Sequence, residues 1–303
     1  MNATKNNAKL SEVRKGNGAV AGLLIFFILI MVANFGYSLV QGPVDNQRID
    51  AADELRVLSQ QITSNASESV AGNVDAFTYL STTRSSYERN FLLLENSLKE
   101  FDFKLVSPEQ VTRAINDSRP VWEKVKGSAD SILKYRNTIL DLHDVALQLS
   151  RTIPKLQDDY QAVVQRMVAN NLRADQVALA NNQIWLAERI SANIGKILSG
   201  DLDASEGTEV FRQDLLTFGR VLDGMLDGNS EANIRRINIS SIRTILNDIA
   251  SSFSGVQNQS SRIIESIPEL ARAHASADEI YTDAANLLKV SEALSRAFTD
   301  TAN

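Results

Sequence analysis

Residues 77–101 read FTYLSTTRSSYERNFLLLENSLKEF. Phe77, Leu80, Arg84, Tyr87, Phe91, Leu94, Leu98 and Phe101 recur at alternating steps of three and four. That spacing brings one residue per turn onto a single face, the heptad seam of a packed helix, whereas a strand would need a step of two. Working outward, Leu55, Leu58, Ile62, Ala66 and Val70 form a stripe on a preceding helix. Ser107-Pro108-Glu109-Gln110 then reads as a helix start, with Ser as cap, Pro in the first position and Gln reaching back. Pro120 is expected to open the main third helix, whose stripe is Trp122, Val125, Ala129, Ile132, Ile139, Leu142, Ala146 and Leu149.

Pro154 reads as a kink or restart. Residues 155–193 contain neither Pro nor Gly, which predicts one uninterrupted helix of about 60 Å at 1.5 Å per residue. A rod of that length would serve as last helix of one bundle and first of the next, with Asn170-Asn171 as its weak point. Phe211, Leu215, Phe218, Leu222 and Leu226 give another stripe, residues 234–264 another long amphipathic stretch, Ile267-Pro268 another break, and a final helix runs to about Phe298.

Composition agrees with helices. The 303 residues include only 14 Gly and 5 Pro, against 44% hydrophobic residues, so little punctuates sheets or turns. The absence of Cys excludes disulfides, thiolate nucleophiles and zinc–thiolate sites. The expected fold class is all-α.

Some of the helical pattern repeats in order. Leu58–Asn65 can be laid on Leu186–Asn193, Asp75-Ala76-Phe77 on Glu209-Val210-Phe211, and Ile153-Pro154 on Ile267-Pro268. Four such matches, counting Leu93/Leu226, predict two related antiparallel helical-bundle modules in tandem, residues 42–172 and 173–303, sharing the long connecting helix.

No charged residue occurs between Lys15 and Asp45, and 16–41 is almost wholly apolar. That is long enough for a transmembrane helix and longer than the apolar part of a signal peptide. Lys5, Lys9, Arg14 and Lys15 precede it and Asp45 and Asp50 follow, which predicts a cytoplasmic tail at 1–15 and extracytoplasmic residues after about 41. The basic tail is then a topology signal, not a nucleic-acid patch. Gly18 and Gly22 are spaced for transmembrane helix packing.

Nothing reads as catalytic. His143 and His274 are the two histidines, placed in different modules and read as solvated or capping residues; no metal or cofactor is expected. Arg84 interrupts the seam. Either its stem packs while its head reaches water or an acid, or it makes a polar contact inside the bundle or at a dimer seam. Arg56 borders the first stripe, where two copies from a symmetric dimer could converge on one anion, although a solvated surface arginine has the same pattern. Ile184 occupies the corresponding place in the second module.

The stretch Asp53–Ile62, with Arg56-Val57-Leu58-Ser59-Gln60 at its centre, resembles the R-x-L-S-Q signature of PilJ-type sensor modules. Together with the second copy, the anchor and the length, the chain resembles the N-terminal part of the methyl-accepting chemoreceptors of type IV pilus twitching motility. The resemblance implies inner-membrane location, a homodimer, and extracytoplasmic helical modules related to nitrate/nitrite sensors, with Arg56, Ser59 and Gln60 as ligand-binding candidates. It also implies a pilus or surface signal, type IV pilin as a partner, and a chemotaxis adaptor and histidine kinase reached through a signalling domain absent from this sequence. A small-anion or metabolite sensor and a ligand-free stalk are the rival readings. The chain is expected to be a receptor portion ending ahead of a second span.

Overall fold

The computed structural model describes Met31 and residues 46–101, 109–200 and 206–302. The expected tail 1–15, the span 16–41 with Gly18 and Gly22 (Met31 apart), and the Ser107-Pro108 helix start lie outside the described residues. Seven long helices fill the described part: α1 (46–70), α2 (Val74–Phe101), α3 (Glu109–Lys134), α4 (Arg136–Ala169), α5 (Ala174–Ser199), α6 (Glu206–Asp227) and α7 (Ser240–Ala302). Among the described residues the one strand-like feature is an isolated antiparallel bridge between Asn229 and Ile234. The fold class is all-α. Among the same residues, no helix is long and apolar enough to cross a membrane.

Several expected breaks are absent. Pro120 lies inside α3, Pro154 inside α4 and Pro268 inside α7. Each of these prolines is exposed. The carbonyl that each leaves without its helical donor lies four residues back, at Asn116, Ser150 and Ile264, and none of these three residues is buried. A lost bond on the wet side is made up by water, so the helix continues.

One full break falls at the weak point, Asn170-Asn171. The uninterrupted 155–193 helix does not form; it ends at Ala169 and restarts at Ala174. Asn171 takes φ 55°, its N–H bonds Val168 O and the Leu172 N–H bonds Met167 O (both 3.0 Å). That pattern is a left-handed helix stop, which Asn tolerates better than other non-glycine residues. The same stop ends α1, with Gly72 at φ 83°, Gly72 N–H on Ser69 O and Asn73 N–H on Glu68 O. Asn73 then caps α2 by accepting from the Asp75 N–H at 3.1 Å.

The amphipathic stretch expected from Ile234 also starts late, at Ser240. Residues 234–239 are loop, with Ile234 and Ile237 buried. Gly228 and Asn233 have positive φ, and Asn229 and Ile234 exchange both backbone bonds at 2.8 Å. The Arg243 guanidinium donates to the carbonyls of Leu226 and Ile237, closing the turn into α7.

The chain divides into two units. The first takes in the described residues 46–56, 89–101, 109–117 and 290–302, one segment each of α1, α2, α3 and α7. Leu55, Phe91, Leu94, Val111, Ile115 and Leu294 are buried in it. Its helices are tied by Ser295 donating to Asp53 at 2.5 Å and Asn90 donating to Glu54 at 2.8 Å.

The second unit, residues 57–88 and 118–289, is built on two antiparallel rods. One is α3 followed by α4, joined through a single non-helical residue, Tyr135; the other is α7. Lys124 meets Asp283 (2.7 Å), Ser128 meets Glu279 (2.7 Å), Thr138 meets Glu269 (2.6 Å), Gln148 meets Gln259 (2.6 Å), and Arg166 meets the Ser241 carbonyl (2.8 Å). Every step along one rod is matched by an equal step back along the other, so the register does not drift. A helical hairpin covers each end of this pair. α2 packs on α3 and the α1–α2 turn on α4, and α5 and α6 pack on α4 and α7.

Candidate functional site

The hairpins repeat one another in detail. Tyr87 stacks on Trp122 with ring centroids 4.0 Å apart, and Phe218 stacks on Phe253 at 4.3 Å. Both residues of the second pair stand 131 positions after those of the first. The same interval separates His143 from His274, and Gly72 lies 128 before Gly200. The expected matches do not share one interval: Leu58 and Leu186 stand 128 apart, Asp75 and Glu209 134, Leu93 and Leu226 133, and Pro154 and Pro268 114.

The histidines mark where the two hairpins meet the rods, in one and the same unit. His274 Nε2 lies 3.0 Å from the Leu198 carbonyl in the last turn of α5, a capping contact. His143 is half-buried beneath Gly72, and its Nε2 has no hydrogen-bond partner. Burial pushes the His143 imidazole below its ordinary 6.5; Asp144 opposes this and His274 adds to it. A group held neutral in the fold contributes stability that is complete above its unfolded value and lost as pH falls through it. Melting temperature is therefore expected to decline below about pH 6.5, and His143→Gln to flatten that decline in melts recorded from pH 7.5 to 5.

Polar pairs lock the helix seams around this waist. Arg84, 24% exposed, bonds Asp130 of α3 at 2.8 Å, so its stem packs and its head finds an acid. Glu88 receives both Trp122 Nε1 and Lys126 Nζ. Burial alone would raise the Glu88 carboxyl, but these donors outweigh it and hold it below the usual carboxylate range. Between α1 and α2, Asn65 donates to Thr83 at 3.1 Å. At the place equivalent to Thr83, α6 carries Asp214, 2% exposed and held by both arms of Arg189. The Arg189 guanidinium also lies 4.4 Å over the ring of Trp185, which is 60% exposed.

One core layer is under-satisfied. Tyr160 of α4 packs edge-on against Phe218 at 5.4 Å. Its hydroxyl and both amide atoms of Gln183 on α5 are buried without partners. Leu55 stands 128 residues before Gln183 and is fully buried, so the equivalent position accepts a hydrocarbon. Gln183→Leu is expected to stabilise the chain by about 1–2 kcal/mol, by deleting orphaned polar atoms; urea midpoints at unchanged slope check this.

Of the expected binding residues, Arg56 and Gln60 are exposed and Ser59 is 2% exposed. Among the described residues no group of three or more His, Cys, Asp or Glu is placed to hold a metal ion. The glycine–histidine locks and the Arg189–Asp214 pair were missed by sequence reading. The signal that could have found them is the constant interval of about 130 residues, read at Tyr87/Phe218 and Trp122/Phe253 instead of at the prolines.

No protein-family model matches the chain. It is 36% identical over 300 residues to the protein PilJ of Pseudomonas aeruginosa, covering 98% of this chain and 44% of that one. It is 37% identical over 279 residues to a protein of Alcanivorax borkumensis provisionally described as methyl-accepting chemotaxis AlkN, covering 92% of this chain and 40% of the relative. The chain thus spans less than half the length of the curated relatives it matches. Along nearly all of its own length it is a PilJ-like sequence, similar to a portion of PilJ and of a methyl-accepting chemotaxis relative.

Proposed function

We propose that this chain is the signal-sensing region of a transmembrane chemoreceptor governing type IV pilus twitching motility, and that it performs no catalysis. The similarity to PilJ across 98% of the chain carries this reading. In it, residues 1–15 are a cytoplasmic tail, 16–41 an inner-membrane helix that pairs through Gly18 and Gly22, and 42–172 and 173–303 two periplasmic modules. Two copies associate as a homodimer, and a pilus or surface contact, with type IV pilin as the partner, alters helix position. The adaptor and histidine kinase are engaged by parts of the receptor outside this sequence.

The paired rods of the second unit suit such a task. Their rungs are discrete side-chain pairs, so a small slide or rotation exchanges one packed arrangement for another instead of deforming continuously. Photo-crosslinking of the chain to purified pilin tests the partner. Crosslinks at defined surface positions support it, and their absence at every position tried refutes it.

The exposure of Arg56 and Gln60 supports a second reading, a small anion held between the two at a dimer interface, with Ser59 turned to the core instead. Calorimetric titration with nitrate, using Arg56→Ala as control, separates it from a protein-contact sensor.

A further inference from the structure

The last turns of α5 are loosely packed on two sides. Toward α7 lies a cavity of about 200 Å³ with His274 in its wall and Asp278 among its lining. Toward α4 lies a groove of about 260 Å³ whose walls include Ala146 and Ile153 on α4 and Ile194 and Gly195 on α5. His143, Ser150 and Ser191 supply its polar groups. A third groove, between α6 and α7, carries Arg212 and Glu265 and so presents both signs of charge.

We propose that the α4–α5 groove binds one small neutral alcohol, a single ring or short chain bearing one hydroxyl. The volume sets the size, since an apolar cavity of roughly 150 Å³ already accepts benzene. The lining sets the charge. No Lys, Arg, Asp or Glu borders this groove, so an ion there would have no lining residue of opposite charge to pair with. The hydroxyls set the head group. Ser150 already donates to the Leu147 carbonyl at 2.8 Å and offers only its lone pairs, so the ligand must donate to it, which an aldehyde or ketone cannot do. A hydroxyl can donate to Ser150 and accept from Ser191.

His143 joins this groove to the Gly72 turn that rests on its ring. An occupant therefore bears on the turn between α1 and α2. The proposal deepens the sensory reading above and depends on it only for physiological meaning, because pilin crosslinking and alcohol binding succeed or fail independently.

The test is saturation-transfer NMR of the 303-residue chain with benzyl alcohol, with benzoate as the charged control. Saturable binding with a dissociation constant of about 1 mM is expected for so small a molecule. Ala146→Leu and Gly195→Leu should each weaken it at least tenfold. Gly195 is an exposed helical position where an added Cβ meets nothing within 4 Å, so that variant folds even if Ala146→Leu does not. No saturable binding, equal binding by Gly195→Leu, or equally tight benzoate binding overturns the proposal.

Discussion

Replacing Arg189 with alanine is expected to remove about 3 kcal/mol of folding free energy, at the low end of what unpairing a buried ion pair costs because Arg189 itself is 37% exposed. Nearly all of that loss comes from Asp214, not from the arginine. The Asp214 side chain is 2% exposed and sits on the inner face of α6 beside Leu215 and Phe218, both buried. Without Arg189 its carboxylate would be a charge in hydrocarbon surroundings, which no surface rearrangement of α5 can reach. The first hairpin suggests the remedy. Its equivalent residue is Thr83, which accepts a hydrogen bond from Asn65. Adding Asp214→Thr to Arg189→Ala should therefore recover most of the lost stability, while Asp214→Thr alone should be mild, since Arg189 can turn to solvent. Urea unfolding of the two single variants and the double variant reads the coupling. A double variant no more stable than Arg189→Ala would remove the argument.

Gly72→Ala is expected to cost about 2–4 kcal/mol. Two independent terms add. The backbone there has φ 83°, where an L side chain costs about 1–2 kcal/mol. A Cβ would also stand 2.2 Å from Cδ2 of His143, so the imidazole would have to leave its place in the core. Removing the ring separates the terms: in a His143→Ala background the penalty should shrink to the backbone part. Gly200→Ala is a milder parallel, because its nearest approach, to Cγ of His274, is 2.9 Å. Calorimetric melts of the four variants test the order. Equal penalties at Gly72 with and without the ring would show that the contact carries nothing.

The apolar stripes were legible because a stripe is a local property. Phe77, Leu80, Tyr87, Phe91 and Leu94 are all buried, as are Leu55, Leu58, Ile62, Ala66 and Val70. What a spacing rule could not supply was the environment of a residue that interrupts the pattern. Pro120, Pro154 and Pro268 punctuate a helix only if the freed carbonyl is buried, and orientation decides that. The stop at Asn171 turns on one residue's tolerance of positive φ, a weaker signal in sequence than a glycine. Ile234 and Ile237 look like the start of an amphipathic helix because burial in a loop and burial on a helix face leave the same residue types.

The polar residues were legible in part. Arg84 needed an acid, but Asp130 lies 46 residues away, and nothing local names it. The binding signature at Arg56, Ser59 and Gln60 is contiguous in sequence, yet Ser59 faces the core stripe with Leu55, Leu58 and Ile62. His274 is a capping residue, as its type suggested, whereas His143 is a packed one.

The paired rods bear on how the polypeptide can acquire its shape. In the second unit α3 and α4 lie along α7, and the α5–α6 hairpin packs on α4 as well as on α7. A nick at the Asn171 turn would separate α3 and α4 from α7 and leave two fragments, each with an uncovered apolar flank. Neither should reach a native state by itself, and mixing them should restore it, as two hands complete one clasp.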